Sequence, residues 1–578
     1  MRRSHAEDLR FGDNSPKPEA TVPRHASLLR TALGLLAAAS LLPGCEQADA
    51  RQAGAAPPAA VSAAPSAATR AEPSAAAASA ARAPEAPPQA PGDAAPSASP
   101  PPSSDALPRP EHAPPSRSTA PGERIHAKAR FVWIQPAPQP SKGWLGYLTL
   151  GGSVRLFEGS AEKAKTYGPG CDAWYRVEPM GYVCLGAETT LDENDAELVR
   201  LRAHAAKIDE PYPYDYAESI GAPRYVGLPS PKQVEKAEWD YAAHQKRLSL
   251  LREGRIAEAG KLTAELYAGV DASPFGRPPP AELGDLGQRV REARDYVAPG
   301  STIAYASAFD ADERSWLYTS DHVVVPKDRT KPYARIAFHG VRLGDGVELP
   351  LGFARKSDAP LYRRTEAGFE EAGSALPRLA HVALTGERAR HGKETMLESR
   401  DRGLWLRERD LAVAEKAERI PFREGELEGE LRTWVDVRIL GGTLVAYEGD
   451  TPVYATLNSS GRGGLPVPGR ELISTASTPT GTFRVDGKFR TATMVSSTDS
   501  SVVHSEVQFV QNFHGPHALH GAYWHDRWGE LKSGGCVNLS PIDSKWLFEW
   551  SEPRLPPDWH GMRSAKELGP PTRVVVRP

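Results

Sequence analysis

Cysteine is scarce, with 4 in 578 residues. That excludes a disulfide-dense secreted scaffold, which packs several bridges into a short chain. Net charge is also low, at −3, with 70 Lys and Arg against 73 Asp and Glu. Bulk nucleic-acid binding favours a basic domain, so no nucleic-acid partner is expected. Long apolar runs are missing too. The stretch 31–42 (TALGLLAAASLL) stops short of the roughly 20 residues that a bilayer-spanning helix needs. Proline and glycine are abundant, at 54 and 51.

The proline is concentrated. From Arg51 to Ala120 the chain is mostly Ala, Pro and Ser. Such sequence cannot bury enough apolar surface to offset backbone ordering. Residues 46–124 are therefore expected to be a disordered tether, extending up to about 3 Å per residue where it is polyproline-like. About 450 residues remain, enough for two to four domains with cores of their own.

Arg24 and Arg30 precede the apolar stretch, as in an export signal. The stretch ends in Leu41-Leu42-Pro43-Gly44-Cys45. This resembles a bacterial lipobox, in which the Cys is lipidated and heads the mature chain. Pro43 departs from that pattern, and a plain signal peptide with an incidental Cys is the alternative. Residues 1–45 are thus read as a signal peptide with lipobox. The mature chain is expected in the cell envelope, in the periplasm, held to the outer membrane through Cys45.

The first folded block, 126–190, alternates aromatic and β-branched runs with Gly and Pro, which predicts a small β module. Its Gly-aromatic rhythm resembles a bacterial SH3-like module. Cys171 and Cys184 flank Trp174-Tyr175-Arg176-Val177 and are the natural disulfide pair once Cys45 is assigned to the anchor. Residues 191–299 change period. Ser230-Pro231 opens a helix, and Lys232 to Tyr267 predicts one long or two shorter helices, read as a spacer. Residues 300–415 are β-rich again and are expected to form a second, SH3-like module.

The last block, 431–578, carries the chemistry. A hairpin is predicted from Thr443 to Leu457. Downstream stand His514, His517, His520 and His525, then Ser533-Gly534-Gly535-Cys536-Val537-Asn538. A thiol needs a base or positive surroundings to become a nucleophile, and His supplies that. Glycines before it let the backbone turn and present N–H groups to an oxyanion. Ser540-Pro541 predicts a capped helix start.

This block resembles the catalytic domain of bacterial L,D-transpeptidases (YkuD-like). The elements come in order: Trp434-Val435-Asp436-Val437, Thr478-Pro-Thr-Gly-Thr-Phe483, His520-Gly521, and Ser533-x-Gly-Cys-Val-Asn538. The resemblance implies a mostly β, sandwich-like catalytic domain without a cofactor. It implies Cys536 as nucleophile, His520 as general base and acid, and the backbone of Gly535 and Cys536 as oxyanion hole. Many members carry a second His where this chain has Gly534. The implied reaction is acyl transfer on peptidoglycan stem peptides, through a thioester, to a stem-peptide amine (a 3→3 cross-link) or an envelope lipoprotein lysine. Tyr523, Trp524, Ser533 and Asn538 are expected along the substrate, with packing of an aromatic loop as the alternative for the two rings. Two other functions stay open: an L,D-carboxypeptidase using the same pair, and a non-catalytic wall-binding lipoprotein. Zinc held by His514, His517, His520 and Cys536 is the competing site, and no metal is expected.

The anchor predicts that the exported chain partitions into a detergent phase. Cys45→Ser should move it to the aqueous phase, and unchanged partitioning would refute lipidation at Cys45.

Overall fold

The computed structural model describes residues 42–44 and most of 107–578, with gaps at 108, 111–112, 114, 142, 282, 285, 293, 402, 424–425, 427–431 and 497–500. The export signal up to residue 41, Cys45 and the tether up to residue 106 lie outside the described residues.

Seven strands build the sheet that positions the candidate site. They are β1 (Val132–Ile134), β2 (Gly146–Leu148), β3 (Gly487–Ser496), β4 (Val503–His514), β5 (His517–Gly521), β6 (Val537–Leu539) and β7 (Gly561–Arg563). Their spatial order is β1-β2-β7-β3-β4-β5-β6. Neighbours run antiparallel except β5 and β6, which are parallel. The short strand Leu42–Gly44 lies parallel to Met494–Ser496; cleavage before Cys45 would remove it.

Two of the seven strands, β1 and β2, come from the block expected to stand alone as an SH3-like module. The fusion depends on two glycines. A Cβ at Gly146 would lie 2.3 Å from the Trp559 ring, and one at Gly561 would lie 2.5 Å from both Phe489 and Tyr147. Without side chains there, β2 can sit against β7 and the indole. The block keeps two small sheets of its own, Ser153–Arg155 with Arg124–Ala127 and Thr189–Thr190, and Lys165–Thr166 with Ala173–Arg176 and Tyr182–Leu185. Its core is nevertheless shared. Ile125, Leu156, Val177 and Val183 pack in one cluster with Phe548, Trp559 and Met562. A disulfide joins Cys171 and Cys184.

A six-stranded sheet faces the other side of β5 and β6. It contains the predicted hairpin (Thr443–Glu448, Thr451–Leu457), then Thr433–Arg438, which pairs in parallel with Arg573–Arg577. Val435, Val437, Leu444 and Tyr454 from this sheet meet Leu519, Val537 and Leu539 from the first. The helix α1 (Pro541–Trp550) closes the cluster with Trp546, Leu547 and Trp550. It starts as predicted, with Ser540 Oγ accepting the Asp543 N–H at 3.0 Å. Each fully buried Val or Leu here contributes about 1.5–3 kcal/mol.

The middle of the chain differs from its expected division. Four helices of seven residues or more do occupy 191–299 (Ala196–Ala203, Pro231–Ala237, Tyr241–Arg252, Lys261–Tyr267). The same stretch also holds the strand Asp215–Ser219, which pairs with Thr302–Ala311 and Thr330–Pro332. That strand is short and its partners are far along the chain, so no local periodicity marks it. The 300–415 block splits in two. Its first part completes this five-stranded sheet, and residues 351–414 form a separate seven-stranded one. Between them, Val341–Arg342 joins the six-stranded sheet, and the Gly340 N–H donates to Asp543 Oδ1 at 2.8 Å. Among the described residues no helix is long and apolar enough to cross a membrane.

Trp559 is fully buried, and its Nε1–H donates to Glu178 O at 3.1 Å. Trp559→Ala should cost about 3–5 kcal/mol and loosen the N-terminal block from the sheet. Thermal denaturation with limited proteolysis checks this; an unchanged melting temperature would mean that the block contributes nothing to the catalytic unit.

Candidate active site

Cys536 stands just before β6, at the end of a tight turn. Gly535 has φ +133°, a region that side-chain-bearing residues avoid. A Cβ there would lie 3.0 Å from Ser477 O and 3.1 Å from His517 Nε2. Ser533 closes the turn. Its hydroxyl donates to Cys536 O at 2.6 Å and accepts the Gly535 N–H at 3.0 Å. The Ser533 N–H donates to Ser460 O, and the Asn538 N–H to Ser459 O, so both ends are tied to the 458–462 loop.

The parallel register of β5 and β6 sets Leu519 beside Val537 and His520 beside Asn538. One step back, Ala518 faces Cys536, and its N–H donates to Sγ at 3.4 Å. On the other side Sγ lies 3.9 Å from Pro516 O. Side chains alternate along strands, so Ala518, His520, Cys536 and Asn538 share one face while Leu519, Val537 and Leu539 enter the sandwich core. The thiol and the imidazole are therefore diagonal neighbours on one face. His520 Nδ1 is 2.9 Å from Gly521 O. A carbonyl can only accept, so Nδ1 carries the proton and Nε2 is the basic nitrogen of the neutral ring. Both residues are fully buried.

The surroundings are apolar and aromatic. Met494, Val507, Val510 and Ala518 cluster with Cys536, and the half-buried Trp524 packs against them. Trp524 has its ring centre 6.0 Å from that of His520 and 4.7 Å from that of His504. Burial, and then the charge of His520, hold the His504 and His525 imidazoles down at about 3. Both are neutral at neutral pH.

The structure distributes the expected substrate residues differently. Tyr523 is buried; its hydroxyl donates to Ser505 O at 2.7 Å and pairs with Thr302 Oγ1 at 2.5 Å. Its ring stacks on Tyr216 at 3.6 Å. It pins the upstream five-stranded sheet to β4, so a substrate does not reach it in this conformation. Ser533 is buried and holds the Cys536 turn. The Gly535 N–H, expected to face an oxyanion, is bonded to Ser533. Asn538 Nδ2 lies 3.2 Å from His525 Nε2. Trp524 does reach the pair. His514 is exposed, and His517 lies one strand position out of phase with His520, so the four candidate zinc ligands do not converge. Among the described residues no group of three or more His, Cys, Asp or Glu could hold a metal ion. His504 is on β4 and buried. Its proximity to His520 arises from strand pairing, for which the sequence carries no local signal.

The model of the YkuD family, described as the L,D-transpeptidase catalytic domain, matches residues 432–576. This segment is a YkuD domain. Solved structures similar to the chain include an L,D-transpeptidase (residues 123–326) from Xylanimonas cellulosilytica, with 22% identity and TM-score 0.17, covering 26% of this chain and 62% of that one. One from Stackebrandtia nassauensis has 25% identity and TM-score 0.17 over 26% and 58%. A mutant L,D-transpeptidase from Enterococcus faecium has 20% identity and TM-score 0.19 over 25% and 50%. The chain thus spans less than two thirds of each of these solved chains. No curated protein matches. The YkuD domain's Cys536 turn and β5 both fall inside the matched segment.

The depressed His504 has a consequence for stability. A free imidazole titrates near 6.5, so below that pH the unfolded chain binds a proton that the folded one refuses until about 3. The contribution of His504 to stability should therefore be level above pH 7 and fall on acidification, by at most about 2 kcal/mol at pH 5. Melting temperatures at pH 7 and 5 should differ less in His504→Gln than in wild type. Equal slopes would mean that His504 titrates normally.

Proposed function

We propose that the chain is a peptidoglycan L,D-transpeptidase with Cys536 as nucleophile and His520 as base. The observation that carries this reading is the shared face of β5 and β6, with the His520 Nε2 left basic by the Nδ1–Gly521 contact. His520 takes the thiol proton. The thiolate attacks the carbonyl on the L-centre of the third stem residue, and the Ala518 N–H at Sγ steadies the developing negative charge. Collapse of the tetrahedral adduct forms the thioester and releases the terminal D-Ala, whose amine takes the proton back from His520. An acceptor amine then attacks the thioester, loses its proton to His520, and regenerates the thiol.

The oxyanion is held by backbone N–H groups of the turn. The Cys536 N–H is assigned this role, and the Gly535 N–H joins it by leaving Ser533 Oγ. Because both reacting side chains are covered, entry requires neighbouring side chains to give way, and half-buried Trp524 is the one beside His520. The acceptor is a stem-peptide amine or a lipoprotein lysine. The lipid anchor and the 46–124 tether place the domain in the periplasm, reaching from the outer membrane to the wall.

Incubation of the full chain with a carbapenem should give a covalent adduct by mass spectrometry. Cys536→Ala should abolish it, and His520→Ala should slow it by about 10²–10⁴-fold. No adduct in a folded wild-type chain would sink the assignment. Sacculi from cells lacking the gene should lose 3→3 dimers, whereas loss of tripeptides alone would make water the acceptor.

A further inference from the structure

A cleft of about 50 Å³ is lined by Arg117, the Thr149–Ser153 turn, Arg490 and Asp558–His560. None of these residues belongs to the candidate active site. The volume has room for about four water-sized groups, the size of one carboxylate or phosphate head. Its charged lining residues are Arg117, Arg490 and Asp558. Asp558 is already matched. Its Oδ1 accepts the Ser118 N–H at 3.1 Å, and its Oδ2 pairs with Arg124 at 2.5 Å. His560 is held down at about 3 by burial and then by the Arg490 charge, so it is neutral at neutral pH.

Arg490, on β3, is 4% exposed. Its Nε donates to Trp559 O at 2.8 Å, and its Nη2 to Ser116 O at 3.0 Å. Among the described residues no carboxylate forms an ion pair with it. Its Nη1 has no hydrogen-bond partner there, yet is not sealed inside the protein. Buried charges are ordinarily paired, because an uncompensated one is strongly destabilising. A buried lysine can shed its proton; a guanidinium keeps its own at neutral pH. Burial pulls Arg490 down to about 10, and Asp209, Glu549 and Asp558 restore only part of the loss. The side chain thus stays charged without a counter-ion. Arg117 is exposed and makes no hydrogen bond or ion pair among the described residues. The positive surplus extends behind the cleft. Burial holds the Arg202 guanidinium below its usual range, and repulsion from Arg124 and Arg117 adds to this.

We propose that this cleft binds one small oxyanion, a carboxylate or phosphate group, between the Arg117 and Arg490 guanidiniums. The planar fork of a guanidinium matches the paired oxygens of either group. An amine would meet two positive charges, and a neutral hydroxyl would leave Arg490 without its counter-charge. The site also has a structural consequence. Arg117 and its neighbours fall at the end of the stretch expected to be a disordered tether, yet they are docked here. The Asp558 N–H donates to Ser116 O at 2.9 Å, and the Ser118 N–H to Asp558 Oδ1. An anion held between Arg117 and Arg490 would fasten the end of the tether to β3 a third time. This inference does not depend on the acyl-transfer reading of Cys536.

The test uses the full chain with inorganic phosphate and acetate as probes, against chloride at equal ionic strength. At least one of the two should bind, raise the melting temperature and slow proteolysis around Arg117. Tighter binding of acetate would assign a peptide carboxylate; tighter binding of phosphate would assign a phosphate ester. Arg117→Ala removes an exposed side chain and should weaken the binding about ten-fold while erasing the protection from proteolysis. Arg490→Lys keeps the charge but loses the fork and should weaken it to a similar extent. If Arg490→Lys does not fold, Arg117→Ala alone decides. Binding of neither probe beyond chloride, or wild-type affinity in the folded Arg117→Ala chain, would overturn the proposal.

Discussion

The parallel pairing of β5 with β6 is the constraint on which the rest of the site depends. Strand side chains alternate with period two, so a slip of one residue would send His520 or Cys536 into the sandwich core. Register is held from both sides. Leu519, Val537 and Leu539 must stay in the apolar cluster with Val435, Leu444 and α1. On the opposite face, Ser533 ties the glycine turn to Cys536 O, and the backbone of Ser459 and Ser460 clamps the turn and strand. Packing on one face thus sets the chemistry on the other.

The same sheet explains why the accessory regions are not beads on a string. β1 and β2 extend it, and the block that carries them shares its core with Trp559 and Met562. The five-stranded sheet is fastened by Tyr216 on Tyr523 and by Thr302 at the Tyr523 hydroxyl. Buried charge adds orientation. Arg130 of the first block reaches Glu292 at 3.1 Å and Glu506 of β4 at 3.4 Å. Arg224 pairs with Asp321 in the same region. Ion pairs out of water contribute little net stability, but losing one partner leaves an uncompensated charge, so misdocked arrangements are disfavoured. Burial pushes the Glu506 carboxyl above its usual range while Arg130 pulls it back.

Tyr523 shows how position in the chain and position in space diverge. It lies three residues after His520 and beside Trp524, so a place along the substrate is a natural expectation. The upstream sheet covers it, while Trp524 next to it faces His520 and His504. Their rings meet edge-on with centres 4.9 Å apart, and the arrival of Tyr216 and Thr302 decides which one is buried.

The sequence by itself determined the local features: the Thr443–Leu457 hairpin, the Ser540-capped helix, the mostly β character and the motif that marks the YkuD domain. These depend on short-range patterning, turn residues and caps, which are written in adjacent residues. Tertiary structure decided the rest. Whether Ser533 faces substrate or holds the turn, whether 126–190 stands alone, and where Asp215–Ser219 pairs all depend on contacts across long chain separations. The pairing of a strand edge or the covering of a ring is a property of two distant segments together, and neither segment carries it alone.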